Sequence, residues 1–219
     1  MKNYIQIFLK SIILISFLLL TSCEQKSEKE KKTSLENFEN DQKVLSLDSI
    51  KRISVGEESA KITIIAYESL TCGHCADFHK NVYPELKKDF IEKGLVKIEF
   101  RNFPLDIAAF NASKIGQCKN DGKSDIIQIL YSGQKKWAKG KTPEEATGYL
   151  KKFLEDEGVT LDFEKCLADK AIEDYVLNDR IEGVKKFKVN ATPTIIINDK
   201  KFDKALNYKN LKKYLKKLI

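Results

Sequence analysis

The chain has 219 residues, with 39 Lys and Arg against 32 Asp and Glu, for a formal charge of +7. Hydrophobic residues make up 42% and charged residues 32%, which is enough for a buried core and too polar for a multi-span membrane protein. The lysines are spread along the chain beside Glu and Asp, the pattern of a solvated surface, and no nucleic-acid partner is expected.

Residues 1–22 read as a secretion signal. Lys2 and Lys10 flank a polar start, and 12–20 is apolar except for Ser16, a length that suits a signal core rather than a membrane span. The run ends Leu20-Thr21-Ser22-Cys23, which resembles a bacterial lipobox. Cys23 is therefore the expected lipidation site and first mature residue. Loss of 1–22, with Lys2 and Lys10 and no acid, lowers the charge from +7 to +5. Residues 24–43 (EQKSEKEKKTSLENFENDQK) are charged and nearly free of apolar side chains, so a disordered tether is expected, with an r.m.s. span of roughly 25 Å.

A β-branched run at 61–67 predicts the first strand, and a turn carrying Cys72 follows. Phe78, Val82, Leu86 and Phe90 recur every fourth residue and predict a helix that starts near Cys72, is kinked by Pro84 and stops at Gly94. Residues 96–102 (VKIEFRN) predict a second strand, parallel to the first through a βαβ crossover. Helices are expected at 108–119, 126–137, 143–155 and 172–187, punctuated by Gly122, Gly140 and Gly158. Residues 194–198 (TIIIN) predict another strand. A final helix places Leu211, Tyr214, Leu215 and Leu218 on one face and lysines on the rest, a face read as solvated. The expected architecture is an α/β domain formed by 44–103 and 188–219, split by a helical insertion over 104–187.

Export gives cysteines a compartment in which disulfides persist. With Cys23 lipidated, Cys72, Cys75, Cys118 and Cys166 remain, and four cysteines allow three pairings. Cys72 with Cys75 is the local pair, which leaves Cys118 with Cys166; two buried free thiols are the alternative for the latter. The Cys72-Gly73-His74-Cys75 spacing serves three chemistries. Zinc usually needs a second such pair, or a pair plus distant His or Cys, and the chain has only His74 and His79. Haem attachment needs His directly after the second Cys, where this chain has Ala76. The strand-turn-helix context favours redox exchange, with no metal or cofactor expected. Cys72 at a helix amino end gains from unpaired amides and the helix dipole. Its thiolate is the nucleophile and leaving group, His74 adds positive charge or a hydrogen bond, and Cys75, one turn further in, is the buried resolving thiol. His79 is read as a structural or surface residue, with a proton shuttle as the alternative.

Five segments together resemble the DsbA-like thioredoxin family, in particular its alphaproteobacterial-type secreted members: AKITIIAYESLTCGHCADFH (60–79), VKIEFRNFPLD (96–106), QKKWA (134–138), FEKCLAD (163–169) and VNATPTIIIN (189–198). The likeness covers about 56–219 and implies a thioredoxin-like fold with an inserted helical domain. It also implies a cis Thr192-Pro193 bond opposite the cysteines, whose exposed backbone pairs with a peptide substrate. Some members carry a second cysteine pair where Cys118 and Cys166 fall. The implied activity is disulfide introduction into reduced or unfolded exported proteins, with reoxidation by a membrane redox partner, in an extracytoplasmic (periplasmic) and lipid-anchored setting.

One departure concerns proton transfer. Relatives often carry a buried acid six positions before the first cysteine, where this chain has Ala66; that puts acid assistance at the resolving thiol in doubt. The Gly-His dipeptide matches protein disulfide isomerase, at about −180 mV against about −120 mV for DsbA. An intermediate, oxidising couple is expected. The alternatives are a reductase or isomerase on the same fold and, in another class, a metallochaperone.

Overall fold

The structure is a computed structural model that describes residues 49–219. The signal segment, Cys23, the 24–43 tether and residues 44–48 of the expected domain lie outside the described residues.

Strands β1 (Ser54–Val55), β2 (Ile62–Glu68), β3 (Val96–Asn102), β4 (Thr194–Ile197) and β5 (Lys200–Lys201) form one sheet in the order β1-β3-β2-β4-β5. β2 and β3 are parallel, with Ile62 opposite Val96 and Glu68 opposite Asn102. β4 runs antiparallel to β2 and pairs Thr194 with Tyr67. That register delivers the segment before β4 to the carboxyl end of β2, where the chain turns toward Cys72.

β2 is buried on both faces, which explains its near-continuous apolar sequence. Ile62, Ile64 and Ala66 join the main core, whereas Tyr67 joins Phe103, Phe187, Val189 and Ile196 on the opposite face. Alternation of side chains along the strand puts Glu68 on the same face as Ala66.

Helix α1 (Gly73–Asn81) follows the cysteine turn, and α2 (Tyr83–Leu86) continues into a π-helical turn at Lys87–Ile91. The expected single kinked helix is therefore divided at Val82. Pro84 lacks an N–H and its ring crowds the carbonyl four residues back, so the break falls just before it.

Six helices lie between β3 and β4: α3 (Ile107–Gln117), α4 (Asp125–Ser132), α5 (Gln134–Trp137), α6 (Pro143–Asp156), α7 (Phe163–Ala168) and α8 (Lys170–Phe187). The expected helix over 126–137 splits at Gly133, a position where the Phe153 ring, 2.0 Å from where a Cβ would stand, leaves room for glycine alone. α7 went unforeseen, since six residues are too few to show a helical period; its local cue is Asp162, whose carboxylate accepts from the Lys165 amide. Cys118, at the end of α3, and Cys166, within α7, form a disulfide. The last helix, α9 (Tyr208–Leu215), buries Leu211 and Leu215 and leaves Leu218 exposed beyond its end. Among the described residues no helix is long and apolar enough to cross a membrane.

Candidate active site

The turn between β2 and α1 is held from three sides. The Ser69 carbonyl accepts from the Cys72 amide at 3.0 Å. The Thr71 hydroxyl donates to Asp106 at 2.7 Å, while the other oxygen of that carboxylate caps α3 by accepting from Ala109. The Gln134 side-chain amide donates to the carbonyls of Leu70, at 2.8 Å, and Cys72, at 3.0 Å. Helices α3 and α5 thus fix the backbone that presents Cys72. Neither Asp106 nor Gln134 was singled out from sequence as a site residue, because each acts through backbone distant in the chain.

Cys72 occupies the N-cap of α1 with an extended backbone, and no acid lies in the first turn. Cys72 and Cys75 stand as free thiols, unlike Cys118 and Cys166. Cys72 is partly exposed and Cys75 is buried. The two sulfurs part in acidity accordingly. The Cys75 thiol donates to the Cys72 sulfur, and with the Thr192 hydroxyl and the amides of Cys75 and His74 it outweighs desolvation and lowers the Cys72 pKa to about 5. Burial, that same donated hydrogen bond and the nearby Glu68 carboxylate push the Cys75 pKa far above the ordinary thiol value. A dithiol arranged in this way ionises one sulfur at neutral pH and keeps the other protonated.

His74 is exposed. Its backbone amide is among the groups that lower the Cys72 pKa. The Thr192–Pro193 bond is cis. The Cys72 thiol donates to the Thr192 carbonyl at 3.4 Å, and the Thr192 hydroxyl, buried and without a hydrogen-bond partner among the described residues, favours the Cys72 thiolate. An open groove of about 560 Å³ runs beside this pair, lined by His74, Phe78, Val82, Pro193, Leu206 and Tyr208 among others.

Behind Cys75 the structure favours the structural over the surface reading of His79: it is 6% exposed, and its Nε2 lies 2.8 Å from a Glu68 carboxylate oxygen. The described residues also include a buried acid here. Position 66 is Ala, yet Glu68, two residues along the same face of β2, is 5% exposed and acts on the Cys75 sulfur. The sequence signal was strand alternation, which makes positions 66 and 68 equivalent in direction. Among the described residues no group of three or more His, Cys, Asp or Glu is placed to hold a metal ion.

The sequence pattern of a family described as thioredoxin matches residues 48–217. The chain belongs to this thioredoxin family. Within it, disulfide bond formation protein D of Bacillus subtilis is 27% identical over 173 residues, covering 74% of this chain and 75% of that protein. A Rickettsia bellii protein, named provisionally as a protein-disulfide oxidoreductase, is 28% identical over 151 residues, 66% of this chain and 56% of its own. The chain thus spans little more than half the length of its Rickettsia relatives. Among solved structures, alpha-DsbA1 of Wolbachia pipientis superposes with a TM-score of 0.69 at 26% identity, over 79% of this chain and 95% of that one. This thioredoxin-family chain therefore shares its fold with a DsbA protein.

Proposed function

We propose that the protein is an exported thiol-disulfide oxidoreductase that passes a Cys72–Cys75 disulfide to reduced substrate proteins. The observation that carries this reading is a partly exposed Cys72 at the amino end of a helix beside a buried Cys75, an arrangement that sets the acidities of the two sulfurs apart. A substrate thiolate attacks the Cys72 sulfur, and the Cys72–Cys75 bond breaks with its electron pair on Cys75. A second substrate thiol then attacks the mixed disulfide. Cys72 leaves easily because its thiolate is stabilised, which also favours the reduced enzyme and makes the disulfide form oxidising. Thr192 and Pro193, beside the 560 Å³ groove, are the substrate-binding residues in this reading, with the Thr192 carbonyl available to an extended peptide.

The extracytoplasmic location, the lipid on Cys23, the tether and the membrane partner that restores the disulfide belong to the same proposal. They are supported by the signal-like segment and by the relatives named for disulfide formation. A reductase or isomerase would use the same sulfurs at a lower potential. Equilibration against glutathione decides the direction: a value between about −120 and −180 mV is expected for an oxidase, and one near −270 mV removes that assignment.

A further inference from the structure

Lysines run through the whole chain, but acids thin out near its end. Residues 185–219 hold eleven lysines against two acids, Asp199 and Asp203, a net +9. The whole chain is +7, so residues 1–184 come to −2. Elsewhere among the described residues, exposed lysines stand opposite acids: Lys136 with Glu157 at 3.3 Å, Lys151 with Glu164 at 3.0 Å and Lys152 with Asp156 at 3.1 Å. Within 185–219 only Lys186 and Lys212 have such a partner among the described residues, in Asp199 and Asp89.

The fold gathers these charges on one edge. β5 is the last strand of the sheet, and its Lys200 and Lys201 are exposed. The carboxyl end of α8 meets the turn before β5 through Lys186 and Asp199, 3.2 Å apart. On the opposite face of the sheet, α9 meets the residue after β5 through Tyr214 and Phe202, with ring centres 5.5 Å apart. Leu211 and Leu215 turn one side of α9 into the core, which leaves Lys213, Lys216 and Lys217 outside. Lys209, Lys213 and Lys217 follow one another at four-residue spacing, a like-charge arrangement that costs helix stability. Just beyond the helix, Leu218 and Ile219 are 41% and 60% exposed.

Unpaired lysines beside exposed aliphatic side chains suit an anionic bilayer, whose phosphates take the ammonium groups and whose acyl boundary takes the aliphatic chains. We propose that this edge, from β5 to the end of α9, rests on a membrane of anionic lipid. The inference rests on the extracytoplasmic, membrane-anchored reading given above and adds an orientation to it. The turn before β5 is tied to the amino end of β2, where the Thr63 amide donates to the Asn198 side chain at 2.8 Å. Cys72 follows the carboxyl end of that strand, so the turn lies at the end of the sheet away from the reactive sulfur. α9 begins at Tyr208, which lines the groove beside Cys72. The docked edge thus runs up to the substrate groove and leaves the catalytic turn uncovered. The lysine face of α9, read from sequence as solvated, becomes part of the contact.

The test is amine labelling of the full chain by a reagent that does not cross membranes. Phosphatidylcholine vesicles are compared with vesicles about one-third phosphatidylglycerol, at about 0.05 M salt. Lys200, Lys201, Lys213, Lys216 and Lys217 should label about tenfold more slowly with the anionic vesicles, while Lys136, Lys151 and Lys152 keep their rates. Raising the salt to about 0.5 M should abolish the difference. Equal rates in both vesicles, equal slowing of both sets of lysines, or slowing that survives the salt overturns the contact. Leu218→Asn with Ile219→Asn should weaken the protection severalfold at unchanged charge. Protection indifferent to that change assigns the edge to an acidic macromolecule and removes the membrane. Lys213→Glu, Lys216→Glu and Lys217→Glu together should expose Lys200 and Lys201 to the reagent and leave disulfide transfer to a soluble reduced substrate unchanged; continued protection counts against the contact. A chain that fails to stay with neutral vesicles lacks the anchor, whereas the labelling reports on the edge in either case.

Discussion

Two pairs of cysteines sit in this molecule in opposite physical circumstances. Cys118 and Cys166 join α3 to α7, and Cys166 is 1% exposed within the main core. Neither lies at a helix amino end, and their bond ties two helices of the insertion together. Cys72 and Cys75 sit in a single helical turn, with one sulfur at the N-cap in reach of solvent and the other 0% exposed. In the function proposed above, the same element is a staple in one place and an exchangeable couple in the other. What differs is the surroundings: amides and a hydroxyl aimed at Cys72, and oil and a carboxylate around Cys75.

The sharpest way to break this contrast is to disable each pair in turn. Cys72→Ser is expected to reduce disulfide transfer to a reduced substrate by about a thousandfold or more, since no other sulfur among the described residues is so placed to act as nucleophile and leaving group. The refolding yield of reduced ribonuclease measures it. Cys118→Ala with Cys166→Ala should leave that yield nearly unchanged and lower stability by about 4 kcal/mol in the chain-entropy account, read by denaturant unfolding under oxidising conditions. A transfer rate that falls along with stability would show that the two pairs are coupled, against the division drawn above.

Much of the catalytic turn was legible because its determinants are local. The spacing of Cys72 and Cys75, the apolar period that follows and the β-branched run before them all fall within one βαβ unit. The Thr192-Pro193 partner was legible only through the family resemblance, since nothing in a lone Thr-Pro indicates that β4 will lie beside β2 and bring it to Cys72. Gly133 and Glu68 went unread for one cause: each acts through a neighbour the sequence does not display, the Phe153 ring and a histidine on the next helix. Periodicity reports which face is buried; it says little about what that face meets.

A smaller effect is expected at Thr192, whose hydroxyl is one of the groups favouring the Cys72 thiolate. Thr192→Val keeps the shape and removes the donor. It should raise the Cys72 pKa by about one unit, the usual size for a hydrogen bond to a charged group, and make the couple less oxidising. Thiolate absorbance against pH measures the first change and glutathione equilibration the second. An unmoved midpoint would assign the stabilisation to Cys75 and the helix amides alone.

The finest test uses the wild-type protein and the slope of its potential. In the dithiol form Cys72 titrates near 5 rather than at its ordinary 9.0. A depressed acid stabilises its state fully above the ordinary pKa and loses that advantage as pH falls through the lowered one. Below about pH 5 both sulfurs of the reduced enzyme are protonated, two protons accompany two electrons, and the potential should change by about 59 mV per pH unit. Above it only Cys75 takes up a proton, so the slope should halve to about 30 mV per unit. Because Cys75 is held far above the ordinary thiol range, no second break is expected up to pH 9. A break near 8.5 instead would mean that Cys72 titrates as an unperturbed thiol, and the asymmetry between the two sulfurs would lose its basis.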